Sequence, residues 1–506
     1  MSKQKKGGII DRSLNIVEKV GNKLPHPITL FFILAGLTLV LSWVVSQLGL
    51  SVEHPGTGET IEAVNLISRY GIRRVFSEAV ENFTGFAPLG TVLVAMLGVG
   101  VADSSGLIKA TLKKIVLGAP DRYITAAVVF AGIMSNVASD AGYVVLVPLG
   151  AIIFAAKGRH PLAGLAAAFA GVSGGFSANL LVSTLDPLLA GITEEAAQLM
   201  DSTYTVAPTV NWYFMIASTF LVTFVGTWVT ERIVAPRLGE YEGEYTEKLE
   251  ELTELEAKGL RSALIWLLVA VAGIAALTVP QNGILRSDAG EIIMGATPFV
   301  QGMVPMIALF FFVPGLAYGL KTGTIKDDSD VADAFSKAMS DLGMYIALAF
   351  AAGQFVAYFG WSNIGTILAI NGAEFLQAVN FTGLPMIIAF IIVAGFINIF
   401  IGSASAKWAI MAPVFVPMLM ELGYSPEFTQ LAYRIGDSVT NIISPLMSYF
   451  AIIIAFAKKY DEKMGIGTLI STMMPYSFAF MFVWIIMLIV WFTFGLPIGP
   501  AGRLFY

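Results

Sequence analysis

The chain has 506 residues, of which 56% are hydrophobic and only 13% charged, with a mean hydropathy of +0.76 and a formal net charge of −6. Such a balance lies outside the range of soluble domains. The absence of cysteine excludes disulfides, thiolate metal sites and thiol catalysis.

Apolar stretches long enough to cross ~30 Å of hydrocarbon recur along the chain. Short alternating segments of the kind a membrane barrel needs do not, so the sequence predicts an all-α polytopic membrane protein. Residues 1–27 read as a basic cytoplasmic arm without a signal-cleavage pattern, and Lys3, Lys5, Lys6, Arg12, Lys19 and Lys23 place it inside. A first transmembrane half then runs over 28–230. Ile28–Leu50 crosses outward, and a polar stretch, 51–84, follows outside although it carries Arg69, Arg73 and Arg74. Phe86–Leu117 returns, interrupted near Ala102-Asp103-Ser104-Ser105-Gly106, and brings Lys109, Lys113, Lys114 and Arg122 inside.

Residues 123–156 break the pattern. Basic residues flank both ends, Arg122 before and Lys157 and Arg159 after, so both ends lie on one side and the middle turns back as a re-entrant hairpin. Leu162–Leu189 crosses outward, broken at Gly171–Ser177, and Trp212–Thr230 returns. Residues 231–261 form a charged cytoplasmic connection. The second half, 262–506, starts with Ser262–Leu277, Pro298–Leu320 and Leu342–Phe359. A second hairpin, 384–422, is entered from outside, with Gly402–Trp408 at its tip. Phe428–Phe456 is expected to break at Gly436-Asp437-Ser438-Val439-Thr440-Asn441, and Leu469–Phe494 crosses last. The count is about nine spans, several broken, plus two hairpins, in a bacterial inner membrane with the N-terminus cytoplasmic.

The two irregular regions repeat each other. Pro148 and Pro417 sit in the matching arms Val-Leu-Val-Pro-Leu and Val-Phe-Val-Pro-Met, and Gly171 and Ser173 match Gly436 and Ser438 when counted from Pro161 and Pro426. Entry from opposite sides makes the copies inverted, the architecture of alternating-access carriers. Single small-residue runs also serve as helix-packing seams. Their pairing at two hairpins favours the carrier reading.

Charges inside hydrocarbon are functional candidates. Here they are Asp103, Asp140, Asp186, Lys407, Arg434 and Asp437. Arg434 and Asp437 stand three apart, so a local ion pair between them is one expectation; the other is that each has its own ligand. Sodium needs about five or six oxygens, by analogy with other hard cations. Ser135, Asn136, Ser139 and Asp140 with Ser173 and Asn179 would supply one cage; Ser403, Ser405, Asp437, Ser438, Thr440 and Asn441 would supply its mate. An anion could face the half-helix ends between them, with Trp408 as an aromatic platform. No phosphate-cradling loop or HExxH is present, and Gly171-Val172-Ser173-Gly174-Gly175 has no histidine at its depth. Neither an enzyme nor an ATP-driven pump is expected, and polar clusters confined to tips and breaks disfavour a passive channel.

At GNKLPHP (21–27), NFTGFAPLG (82–90), GRHPLAGLAAAFAGVSGGFSANLL (158–181), NWYFM (211–215), PQNGILR (280–286), FVPMLMELG (415–423) and GLPIGP (495–500) the chain resembles the aminobenzoyl-glutamate transporter (AbgT) family. The resemblance implies a homodimer in the lipid bilayer, driven by a sodium or proton gradient. It implies import of p-aminobenzoyl-glutamate-like anions, efflux of sulfonamide antimetabolites, or both, and no nucleic-acid partner. It assigns functional positions to Asp186, Asn398, Ser403, Trp408, Pro426, Arg434, Asp437 and Pro445. The Ser135-Asn136 tip also resembles the Ser-Asn-Thr tips of sodium/dicarboxylate symporters, the alternative assignment; Val137 stands at the third position and removes one hydroxyl.

Overall fold

The computed structural model describes residues 25–53, 60–138, 141–241, 252–292, 297–447 and 449–506. Among these, seven continuous helices are long and apolar enough to cross a membrane: Pro27–Gln47, Ala87–Ser104, Trp212–Leu238, Glu254–Thr278, Met303–Thr322, Gly343–Trp361 and Ile466–Thr493. The two other expected crossings are each made of two shorter helices around a break. The polar stretch after the first span carries a small antiparallel pair, Ser51–Glu53 with Thr60–Glu62. The connection expected at 231–261 is taken up from both ends. Helix Trp212–Val229 runs on through a π turn at Thr230–Val234 to Leu238, and the next helix begins at Glu254 behind a Thr253/Glu256 capping box.

Each segment expected to form a hairpin consists of two helices. The first pairs Ile124–Ser135 with Ala141–Ala156, the second Gly383–Asn398 with Ala404–Glu421. A broken helix precedes each. Ala87–Ser104 and Leu107–Leu117 meet at Gly106, which has φ +88°, and Gly343–Trp361 and Ile364–Ala378 meet at Asn363, with φ +59°. Glycine and asparagine are the residues that tolerate this left-handed turn.

After each hairpin comes a crossing helix, Pro161–Gly174 and Pro426–Asn441. Both start alike, with proline at the first turn and a side-chain cap before it: His160 accepts from the Leu162 N–H, and Ser425 from the Phe428 N–H. Their apolar neighbours make one continuous core with the hairpin arms.

The break expected at Gly436 is not there. The second crossing helix runs unbroken through Gly436 to Asn441, and the chain leaves helix over 442–447. Gly436 is instead a packing seam, since a Cβ there would stand 2.3 Å from the Ile391 carbonyl oxygen of the second hairpin. Gly171 does the same in the first half, where a Cβ would stand 2.3 Å from the Val129 carbonyl oxygen. The first crossing helix widens into a π turn at Ala170–Gly174 and opens over 175–184 before Leu185–Ala197.

Candidate functional site

The two crossing helices meet, and each gives a serine to the other's break. The Ser177 N–H donates to Ser438 Oγ at 3.0 Å, and Ser173 Oγ donates to Met447 Sδ at 3.2 Å. Tyr143 of the first hairpin stacks on Tyr449 of the second break at 4.6 Å. Both halves therefore build one polar centre. Ser173 and Ser438 are among the contacts that join them.

Among the described residues of the first tip the polar groups are neutral. Asn136 and Asn179 both donate to the Ile133 carbonyl, at 3.2 and 3.3 Å, which ties the tip to the first break. Asn136 also reaches the Gly175 carbonyl at 3.5 Å, and Ser135 Oγ donates to the Gly132 carbonyl at 2.6 Å. Asn136 Oδ1 and Ser177 Oγ are buried without a hydrogen-bond partner among the described residues. Ser139 and Asp140 lie outside the described residues.

The second tip is charged. Lys407 is wholly buried, and its Nζ stands 2.5 Å from Asp437 Oδ1 while also donating to Asn398 Oδ1. The Asn398 amide nitrogen donates to the Asp437 carbonyl (2.9 Å), Thr440 Oγ1 (2.9 Å) and Asn441 Oδ1 (2.7 Å). Three acceptors on the nitrogen fix which end of the amide faces Lys407. Ser403 caps the second arm by accepting from the Ala406 N–H, with Ser405 Oγ 3.4 Å away.

Arg434 does not pair with Asp437. Its Nη2 lies 2.6 Å from Asp186 Oδ1, and both side chains are 1% exposed. Three residues along a helix bring two side chains near one another, but packing turned this pair apart: Asp437 faces the second hairpin and Arg434 the helix after the first break. Asp186 Oδ2 also accepts from the Ser183 N–H and hydroxyl, at 2.5 and 2.9 Å. The guanidinium contact is not aligned as a hydrogen bond, and Nε and Nη1 have no acceptor among the described residues.

Trp408 is fully buried, stacked on Tyr433 at 4.4 Å, with its indole N–H donated to Thr193 Oγ1 at 2.9 Å. Thr193 passes the chain to Gln430 (2.6 Å), Gln430 to Asn211 (2.8 Å), and Asn211 to the Glu427 carbonyl (2.9 Å). Pro426 opens the second crossing helix and Pro445 lies in its break. Asp103 stands apart, exposed on the protomer surface.

Sequence reasoning did not assign a partner to Lys407, it missed Tyr433, Thr193 and Gln430, and it named Ser177 only as the end of a helix break. The signal for Lys407 was available: a lysine inside an apolar hairpin needs a counter-charge, and Asp437 and Asp186 were among the few acids at depth. Nothing in the sequence marks the neutral hydrogen-bond chain.

The comparisons with known proteins agree with this architecture. Residues 12–506 match the family profile described as "AbgT putative transporter family". The chain is 41% identical over 485 residues to the p-aminobenzoyl-glutamate transport protein of Escherichia coli (strain K12), covering 96% of this chain and 95% of that one. The crystal structure of the YdaH transporter of Alcanivorax borkumensis superposes with a TM-score of 0.90 at 44% identity, over 94% of this chain and all (100%) of that one. MtrF of Neisseria gonorrhoeae, described as illuminating a class of antimetabolite efflux pumps, superposes with a TM-score of 0.91 at 49% identity, over 97% and 100%.

Proposed function

The chain belongs to the AbgT transporter family, and from that premise we propose that it carries p-aminobenzoyl-glutamate-like anions, exports sulfonamide antimetabolites, or both, by gradient-driven alternating access. The observation that carries this reading is Arg434: a buried guanidinium at the meeting of the two halves, held by Asp186 on one edge and with no acceptor on Nε or Nη1 among the described residues. Those N–H groups suit the carboxylates of a glutamate tail or the oxygens of a sulfonamide. Asp186 balances the guanidinium when no anion is bound.

Sodium fits the first tip as the coupling ion, with a proton the alternative. Asn136 Oδ1 and Ser177 Oγ are buried oxygens without partners, and Ser135 and Asn179 add oxygens beside them. A cation there would tie the hairpin to the break of the first crossing helix and so report loading to the centre. The protein works as a homodimer in the bacterial inner membrane with the N-terminus cytoplasmic and the two inverted hairpins open to opposite sides.

Reconstitution into proteoliposomes, with sodium and proton gradients imposed one at a time, tests the coupling. Movement of p-aminobenzoyl-glutamate or a sulfonamide should follow the sodium gradient and stop when choline replaces sodium. Transport that ignores choline but collapses with a protonophore would shift the assignment to protons, and downhill leakage without either gradient would make the protein a channel. Since the chain has no cysteine, single cysteines at Arg122 and Lys157 can be labelled from each side. Labelling from one face supports the hairpin orientation, and labelling from opposite faces refutes it.

A further inference from the structure

The span Trp212–Leu238 packs against the last span, Ile466–Thr493. Between its end and the start of that span lies a cavity of about 140 Å³. The polar lining is Arg237, Thr468, Ser471 and Thr472, and the apolar wall includes Ile233 and Pro475. Pro475 has no N–H, so the carbonyl four residues back, that of Ser471, lacks its helical donor. Arg237 supplies one: Nη1 donates to the Ser471 carbonyl at 3.5 Å and Nη2 to Ser471 Oγ at 3.0 Å. Repairing a proline gap is the plainest role for this arginine, yet it uses only two of the five N–H donors of a guanidinium. Among the described residues Arg237 has no carboxylate partner, and no acid lines the cavity. The helix that begins at Ile466 has no side-chain cap, so its positive end adds to the charge of the arginine.

The helix faces that lead away from the cavity are apolar. Trp228 precedes Ile233 by five residues across the π turn at Thr230–Val234, where the wider turn keeps the two on one stripe, and Phe224 lies one turn further back. On the last span Phe478 and Phe482 follow Pro475 at steps of three and four residues, again one stripe. All four aromatic side chains are exposed on the protomer, within segments long and apolar enough to span a membrane. Arg232 and Arg237 close one helix, and Lys458, Lys459 and Lys463 precede the other, so both ends lie at the surface expected to be cytoplasmic.

We propose that this cavity binds the phosphodiester of an anionic phospholipid. Arg237 and the hydroxyls of Thr468 and Ser471 hold the phosphate, and the acyl chains lie along Phe224, Trp228, Phe478 and Phe482. Basic pockets between spans at the membrane surface are suited to such headgroups. Free phosphate would use the same donors but not the aromatic stripes, which favours the lipid. The inference holds whatever cargo the carrier moves.

The test is native mass spectrometry and thermal melting of the purified full-length protein in detergent. It is titrated in turn with phosphatidylglycerol, phosphatidylcholine and inorganic phosphate. Wild type should hold phosphatidylglycerol more tightly than phosphatidylcholine, and Arg237→Gln should weaken phosphatidylglycerol alone by about tenfold. Arg232→Gln removes the same charge from the same helix end, outside the cavity, and should keep the wild-type affinity. Equal losses in the two variants would reduce the effect to general surface charge and overturn the proposal, as would equal affinity of wild type for the two lipids. If inorganic phosphate displaces phosphatidylglycerol, or alone gives the same rise in melting temperature, the occupant is a free anion and the lipid assignment fails. Should Arg237→Gln aggregate, Thr468→Phe decides. It blocks the cavity from an exposed position with the arginine kept, and an unchanged preference for phosphatidylglycerol there would refute the site.

Discussion

Among the described residues the first hairpin tip is lined by amides and hydroxyls and leaves two buried oxygens, Asn136 Oδ1 and Ser177 Oγ, without partners. The second answers the same layout with Lys407 and Asp437 and satisfies Asn398 completely. Around both tips the scaffold repeats: a broken helix, a hairpin with proline in its second arm, and a proline-started crossing helix whose glycine touches a hairpin carbonyl. What differs is only what stands inside. A repeat fold can therefore keep its packing while the polar side chains inside its two copies differ.

The largest stability effects should come from separating the buried charges. Removing one member of a buried pair leaves an uncompensated charge and costs about 3–5 kcal/mol. Lys407→Met alone should lower the melting temperature sharply, and Lys407→Met/Asp437→Leu should recover most of the loss. Arg434→Met/Asp437→Leu should recover nothing, because these two residues belong to different pairs. Rescue of that last double variant in a thermal melt would restore the local Arg434–Asp437 pair and undo the distinction drawn between the sites.

Gly171→Ala and Gly436→Ala probe what the two halves share. Each added methyl would meet a backbone carbonyl at 2.3 Å, and overpacking of that kind costs about 1–3 kcal/mol. Similar losses in both melts are expected. A harmless Gly436→Ala would mean that the helix yields there after all.

Trp408→Phe keeps the stack on Tyr433 but drops the bond to Thr193, a change of about 0.5–1.5 kcal/mol. Thr193→Val removes the acceptor instead and should act through the same contact, so the double variant should be no worse than the poorer single one. Additive losses in stability would show that the two residues do not cooperate.

Asn136→Leu should cost little, since it removes only the long bonds of its amide nitrogen to the Ile133 and Gly175 carbonyls, and its oxygen has no partner among the described residues. If sodium is the coupling ion as proposed, its signature is loss of a sodium-dependent rise in melting temperature and of sodium-driven transport. The same substitution at Asn398 should be far more damaging to the fold, because its amide holds Lys407 and three acceptors. Equal damage at both positions would erase the contrast between the two tips.

Much of this was legible before folding was considered. Spans and hairpins follow from the length of apolar runs and the placement of Lys and Arg. The repeat shows in Pro148 and Pro417, and in Gly171 and Gly436, because these residues act on the backbone locally. The same local logic misled at Gly436: a glycine followed by polar residues resembles a helix break, but here it answers to a neighbouring carbonyl that no window of sequence contains. The polar inventory of the centre was likewise readable, since a charge in hydrocarbon is conspicuous by composition alone.

What the sequence by itself determined was thus a polytopic helical chain with two hairpins and a short roster of buried charges, because hydropathy and backbone preference act within one segment. Only the tertiary structure decided that Arg434 turns to Asp186, that Lys407 meets Asp437, and that Ser173 and Ser438 join the halves. Partners of this kind come from segments far apart in the chain, and which oxygen meets which cation depends on how the crossing helices rotate as their glycine seams close.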